Sequence, residues 1–214
     1  MYAEHVGMIA PAMLASDVTF NRGCLFAALS ARQPITSIPD MLRDVDANGE
    51  EARALALSTK YECWSWLQSN TPRATVARLE TREALEMLAY EVPGLGIVKA
   101  AFVLQFIGRD IGCLDTHNLK KMRIPINAFK HQGHGKGYFK PQFERYLALA
   151  SGKARELWDT WCEDRAAWYE TTPEEISALH LAVIEEPQKS RVKVNAELPA
   201  NTLTREDIEA LAQW

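Results

Sequence analysis

Cysteine is scarce in this chain and never closely paired, which excludes several kinds of site. The 214 residues include four cysteines, and these lie 39, 50 and 49 residues apart, at Cys24, Cys63, Cys113 and Cys162. No two have the C-x-x-C spacing of zinc sites and iron–sulfur clusters. We therefore expect free, buried thiols in a reducing compartment, and neither a metal nor another cofactor.

Long apolar runs and a secretory leader are missing as well. No apolar run approaches the roughly 18 residues needed to span a bilayer. The first residues, Met1 to His5, lack the basic and apolar regions of a signal peptide. We therefore expect a cytoplasmic protein with no membrane partner.

Alternating strand patterns are nearly absent, whereas helix signals recur along the chain. Hydrophobic residues make up 47% and charged residues 24% of the sequence, as in an ordinary globular protein. Turn and cap signals divide it into helices, so we predict an all-α fold. We expect a monomer. Residues 1–186 are predicted to form one helical domain, either undivided or divided into two lobes around the hairpin, and residues 187–214 to form a tail with a short helix.

Four predicted helices and one loop surround the informative part of the sequence. The helices run from Asp17 to Ala31, from Glu50 to Gln68, from Ile97 to Ile107 and from Asp115 to Arg123. The segment from Asn127 to Lys140 is rich in Gly, His and Lys, which predicts a loop.

Charge is unevenly distributed along the chain. The net charge is −4, which taken alone argues against a nucleic-acid partner. Residues 99–145, however, contain nine Lys or Arg and three Asp or Glu, a net of +6, so the rest carries −10. One basic segment in an acidic body is typical of a phosphate-binding surface, although a solvated loop gives the same pattern.

A Pro-Gly-Leu-Gly turn at residues 93–96 separates two predicted helices. Gly94 and Gly96 permit a tight turn and a close approach of the backbone to a ligand. The helix after the turn offers unpaired amides to an anion, for which a DNA phosphate is the natural partner. We predict a helix–hairpin–helix that binds double-stranded DNA.

A second motif makes the hairpin more specific. The segment Leu114-Asp115-Thr116-His117 places an aspartate nineteen residues after Gly96. The pair of motifs resembles the helix–hairpin–helix DNA glycosylase superfamily, in which an L-P-G-V-G hairpin is followed by V-D-T-H. The resemblance covers residues 20–123 and implies a glycosylase-like fold.

The resemblance implies that Asp115 is the catalytic carboxylate. In that family the matching aspartate stands at a helix start beside a base that has been extruded from the duplex. It acts as a general base or stabilises positive charge that develops on the sugar. An aspartate at a helix start is also an ordinary N-cap, and both roles are compatible.

Several positions depart from the family pattern. Val98 occupies the position, two residues after the second hairpin glycine, at which bifunctional relatives carry a Schiff-base lysine. Lys99 is turned about 100° away around the helix, so we expect it to point along another face and to contact phosphate at most. Arg32 or Gln33 stands where relatives carry a Gln that fills the gap left by the extruded base.

The basic loop after the aspartate has no counterpart in ordinary glycosylases. Its lysines and glycines suit a site at which phosphate approaches the backbone, and we assign Lys136 and Lys140 to DNA or phosphate binding. His131 and His134 could supply half of a metal site, but no further ligands are evident in the sequence.

Two kinds of enzyme fit these features, and a third class is not enzymatic. The chain resembles the amino acid:DNA transferases with which bacteriophages hypermodify thymidine, and this implies transfer of a free amino acid, of the glycine or serine type, onto an activated 5-phosphomethyl-uracil base in phage DNA. A phage-encoded protein of this kind would act in the cytoplasm of the host cell. The alternatives are a monofunctional DNA glycosylase and a non-catalytic DNA-binding module.

Overall fold

The computed structural model describes residues 1–129 and 136–185, with the backbone alone at residues 136–140. Every regular element in this part of the chain is a helix, accompanied by one isolated antiparallel bridge between Ile111 and Ser151. The predicted all-α class is confirmed for these residues. The predicted tail, residues 187–214, lies outside them.

Eleven α-helices are present in the described part. They are α1 (Tyr2–Ala15), α2 (Asp17–Leu29), α3 (Ile38–Asn48), α4 (Ser58–Ser69), α5 (Arg73–Arg78), α6 (Thr81–Glu91), α7 (Gly96–Phe106), α8 (Thr116–Lys121), α9 (Lys136–Ala150), α10 (Ala154–Tyr169) and α11 (Pro173–Ala178). Short 3-10 helices occupy Ile35–Ser37, Gly49–Glu51, Arg53–Leu55 and Leu179–Val183. None of the helices in the described part has the length and apolar character that a membrane crossing requires.

Helices α2 and α7 form the centre of the core. Nearly every residue from Phe20 to Leu29 and from Ala100 to Phe106 is buried. A helix that is apolar on all sides must be covered on all sides, and here α1, α3, α4 and α6 pack around the pair. The rings of Phe26 and Phe106 meet edge to face with their centroids 5.6 Å apart, which joins the two helices.

Two sequence predictions about local structure are wrong. The segment from Glu50 to Gln68 is not one helix, because Gly49 has φ +57° and Ala52 has ψ 129°, outside the helical range. Two 3-10 turns therefore precede α4. The predicted loop from Asn127 to Lys140 is wrong at its end, since α9 begins at Lys136 and places residues 136–140 in a helix.

The predicted hairpin is formed by α6, a short turn and α7. Helix α6 begins at a capping box between Glu80 and Glu83, which satisfies exposed amides at its start. It ends at Glu91, and α7 begins at Gly96 after a turn in which Gly94 has φ +79° and Gly96 has φ +55°. Left-handed angles of this kind favour glycine, so both glycines are required by the geometry of the turn.

Candidate functional site

A small cavity lies among the C-terminal end of α2, α7, α10 and the 3-10 helix Leu179–Val183. Its volume is about 140 Å³, close to the roughly 150 Å³ that accommodates one benzene ring in an engineered protein cavity. Five aromatic side chains contribute to its walls, those of Phe102, Trp158, Trp161, Tyr169 and His180. Size and lining therefore suit one planar six-membered ring.

Asp115 lines this cavity and also caps α8. Its Oδ1 accepts a hydrogen bond from the backbone N–H of Asn118 at 2.9 Å, so the predicted N-cap is confirmed. Its Oδ2 accepts a hydrogen bond from the indole Nε1–H of Trp161 at 3.0 Å. Each oxygen of an ionised carboxylate accepts more than one hydrogen bond, so the half-buried carboxylate keeps acceptor capacity for a ligand.

Lys99 lines the same cavity as Asp115, which corrects the expectation that it points along another face of the helix. Its Nζ donates a hydrogen bond to Oγ of Ser30 at 2.6 Å and lies 5.9 Å from the centre of the Phe102 ring. Val98 packs against the core and has no amine. A single turn of α7 therefore presents one lysine to the cavity, one position later than the family pattern.

A wider groove of about 830 Å³ adjoins the cavity. The hairpin residues 92–99 form one side of it, and the segment after α2 and the start of α8 form the others. Five residues line both the groove and the cavity, namely Ser30, Gln33, Lys99, Asp115 and Arg165. These five residues mark the place where the groove meets the cavity.

The groove brings together six of the eight residues that the sequence assigned to the site: Gly94, Gly96, Lys99, Arg32, Gln33 and Asp115. Arg32 and Gln33 are both exposed, but only Gln33 reaches the cavity as well. Arg32 adopts φ +59°, an uncommon backbone conformation for a residue with a side chain. The side chains of Lys136 and Lys140, and His131 and His134, lie outside the described residues.

The hairpin is pressed against the beginning of α4. A Cβ atom added to Gly94 would lie 2.6 Å from the backbone oxygen of Thr59, whereas one added to Gly96 would meet nothing within 4 Å. Gly94 is therefore required for close packing as well as for its backbone angle. Gly96 is open towards the groove, as a backbone that receives a ligand must be.

Sequence analysis missed the contribution of α10. Trp158, Trp161, Arg165 and Tyr169 recur at intervals of three and four residues and all line the cavity. The guanidinium of Arg165 lies over the ring of Trp161, with its carbon 5.5 Å from the centroid. Tryptophans in a chain of this composition are expected mostly in the core, and this holds for Trp158, which is 4% exposed. The helical spacing of Arg165 with three aromatics was the available signal.

His180 is a buried, neutral group in the cavity wall. Its Nδ1 lies 2.9 Å from the carbonyl oxygen of Ser177, so Nδ1 carries the hydrogen and donates a hydrogen bond to that oxygen. Burial lowers the pKa of His180 from 6.5 to about 4, because the charged form is poorly solvated there. The imidazole is therefore uncharged at neutral pH.

The thiol of Cys113 also lines the cavity but is unsuited to nucleophilic chemistry. Burial and the nearby charge of Asp115 raise the pKa of Cys113 to about 12, and a thiol is reactive only as the thiolate. The four cysteines are free. Within the described residues, no three His, Cys, Asp or Glu side chains form a group that could hold a metal ion.

Comparison of the chain with known protein families, with curated proteins and with solved structures finds no match. The functional assignment therefore depends on the geometry of the site and on the two sequence motifs.

Proposed function

We propose that the protein modifies a base in double-stranded DNA after the base has left the helix and entered the cavity. The observation that supports this most strongly is the junction of a groove of about 830 Å³ with a cavity the size of one ring, with Asp115 at the junction. Enzymes that act on a base inside a duplex must extrude it into a pocket. The cavity volume favours a pyrimidine over a purine.

The groove offers features suited to a DNA backbone. Its lining contains three cations, Arg32, Lys99 and Arg165, and two acids, Glu62 and Asp115. The turn at Gly94 and Gly96 adds exposed backbone, and α7 directs the positive end of its dipole to this side. The fold that we propose for these elements is the glycosylase-like one implied by the motifs.

The reaction that we propose is transfer of an amino acid onto an activated 5-phosphomethyl-uracil. The amine nitrogen attacks the exocyclic methylene carbon, a C–N bond forms, and the C–O bond to phosphate breaks with its electron pair leaving on the phosphate. The ammonium proton must be removed before attack, and we assign its removal to the carboxylate of Asp115. Val98 offers no amine, and the amine of Lys99 is engaged by the hydroxyl of Ser30, which favours chemistry without a Schiff base.

A monofunctional glycosylase is the second candidate, since the same carboxylate suits both reactions. There Asp115 would stabilise positive charge on the sugar while water attacks C1′. Transfer leaves the base attached to the DNA, whereas glycosylase action releases it.

Product analysis tests the proposal. Duplexes that carry thymine, 5-hydroxymethyluracil or 5-phosphomethyl-uracil would be incubated with and without glycine or serine, then digested to nucleosides for mass spectrometry. We expect amino-acid-dependent loss of phosphate and a new C–N bond on the third duplex only. Release of a free base without strand nicking would select the glycosylase, and tight binding with no product would select a binding module.

Two single substitutions form a matched pair, because each removes one carboxylate that lines the groove. Asp115→Asn should slow product formation about a hundredfold or more, whereas Glu62→Gln should retain it, because Glu62 lines the groove but not the cavity.

A further inference from the structure

Two cations stand where the cavity joins the groove, and in the described part of the chain neither forms a salt bridge with a carboxylate. Lys99 and Arg165 line both spaces. Among the described residues, neither side chain forms an ion pair, in contrast to Arg22, Arg73 and Arg82, which do. Lys99 is held by the hydroxyl of Ser30 and Arg165 by the indole ring of Trp161, and both of these contacts are uncharged.

The carboxylate of Asp115, which lines both spaces with these two cations, offsets only part of their positive charge. Ser30 Oγ donates its own hydrogen to the carbonyl of Ala27 at 2.8 Å, so it receives the hydrogen bond from Lys99 without adding charge. The Asp115 oxygens accept from the Asn118 amide and the Trp161 indole.

A third cation, the buried Lys60, lies near Lys99. Lys60 is 2% exposed and forms no ion pair among the described residues. Burial, together with the positive charge of Lys99, lowers the pKa of Lys60. The two lysines are therefore close enough to repel each other, and an anion near Lys99 would relieve that repulsion.

We propose that Lys99 and Arg165 form a subsite for a phosphoryl group at the mouth of the cavity. Arginine offers a planar fork that matches a phosphate bidentately, and lysine adds a compact charge. The inference rests on the proposed function, because that function places an extruded base in the cavity. The phosphoryl group is either the one that the base carries or the backbone phosphate beside the extruded nucleotide.

Binding measurements on three duplexes test the subsite and identify the source of the phosphate. Wild type, Lys99→Met and Arg165→Gln would be titrated with duplexes that carry thymine, 5-hydroxymethyluracil or 5-phosphomethyl-uracil. Lys120→Met is the matched control, since Lys120 is an exposed lysine of the basic segment that lines neither space. We expect each cavity-mouth variant to lose roughly tenfold or more in affinity, and the control to lose little.

The pattern of loss assigns the phosphate. A loss confined to the 5-phosphomethyl-uracil duplex shows that the subsite holds the phosphate on the base. An equal loss on all three duplexes shows that it holds the backbone phosphate. Variants that bind all three duplexes as tightly as Lys120→Met does would overturn the subsite.

Two further results separate this inference from the proposed function. Inorganic phosphate should change the tryptophan fluorescence of the wild type saturably, because Arg165 stacks on Trp161, and this measurement requires no variant to fold. Absence of that change together with unaltered variant affinities overturns the subsite alone. A wild type that binds no duplex at all removes the proposed function, whereas its response to inorganic phosphate still reports the subsite.

Discussion

The hydrogen bond between Trp161 and Asp115 makes a prediction about the substitution Asp115→Asn. The aspartate uses Oδ1 to cap α8 and Oδ2 to accept the indole N–H. An asparagine has one carbonyl oxygen, so if that oxygen keeps the cap, its NH₂ group faces the indole N–H. Two donors then oppose each other. The substitution should therefore cost stability, although asparagine is as good an N-cap as aspartate.

The magnitude follows from the bond that is lost. A hydrogen bond to a charged group contributes about 1.5–3 kcal/mol. In a domain of this size each kcal/mol lowers the melting temperature by about 2–4 °C, so we expect a decrease of about 3–12 °C. Turnover should fall about a hundredfold or more, as expected when a positioned acid–base group is removed.

Trp161→Phe separates the two effects. Without the indole N–H, the amide introduced by Asp115→Asn opposes no donor. The same change should then cost about 0.5 kcal/mol or less, since the cap alone remains. Turnover should still fall about a hundredfold, because the carboxylate is missing in both backgrounds.

Chemical denaturation of the wild type, both single variants and the double variant measures this coupling. If the losses of unfolding free energy in the two single variants add up to that of the double variant within about 0.5 kcal/mol, the two side chains do not interact. That result would refute the hydrogen bond between Trp161 and Asp115. Normal turnover in Asp115→Asn would reduce Asp115 to a helix cap.

Three other perturbations follow from the structure. In denaturant titrations, Gly94→Ala should destabilise the fold by about 2–5 kcal/mol and Gly96→Ala by about 1–2 kcal/mol. Both substitutions strain a left-handed backbone, but only the first adds a clash with Thr59. Equal losses of stability would contradict the close packing of Gly94 on Thr59. The pKa of His180 is lowered to about 4, so as the pH falls the unfolded chain binds the proton first, and the folded state should lose about 3 kcal/mol of stability between pH 6.5 and pH 4. His180→Phe should not show this loss. A variant whose stability depends on pH as that of the wild type does would count against a buried neutral imidazole. Borohydride should trap no covalent adduct with abasic duplex; an adduct that disappears in Lys99→Met would identify Lys99 as a nucleophile.

Local sequence rules predicted the elements that depend on local interactions. Asp17 opens α2, and the Asp115 side chain caps α8, as their positions before apolar helical segments indicated. The glycines at 94 and 96 adopt the left-handed angles that a tight turn requires. Each of the two helices is capped by a side chain that accepts from a backbone N–H three residues away, Ser16 from Thr19 and Asp115 from Asn118.

Tertiary contacts decided the elements that the sequence left wrong or unassigned. The Asp44 carboxylate accepts a hydrogen bond from the backbone N–H of Ala54, ten residues away, in the region that was predicted to be continuous helix. Helix α1 was not assigned, and Pro11 lies in its interior, where proline ordinarily breaks a helix.

The direction of Lys99 and the role of α10 could not be derived from spacing alone. Because α7 is buried on nearly all sides, two adjacent positions on it touch different parts of one site, and an angular offset of 100° does not remove Lys99 from the cavity. Trp161 and Arg165 lie 46 and 50 residues beyond Asp115, and only the packing of α10 against α8 brings them to the cavity.

Extrusion of a base into the cavity is the central claim, and it can be measured before any product is known. A duplex with 2-aminopurine beside the target pyrimidine reports unstacking of that neighbour by a rise in fluorescence. We predict a saturable rise that follows the binding isotherm of the wild type, because the target base leaves the stack when it enters the cavity. Binding to the same duplex with no change in 2-aminopurine fluorescence would contradict the account.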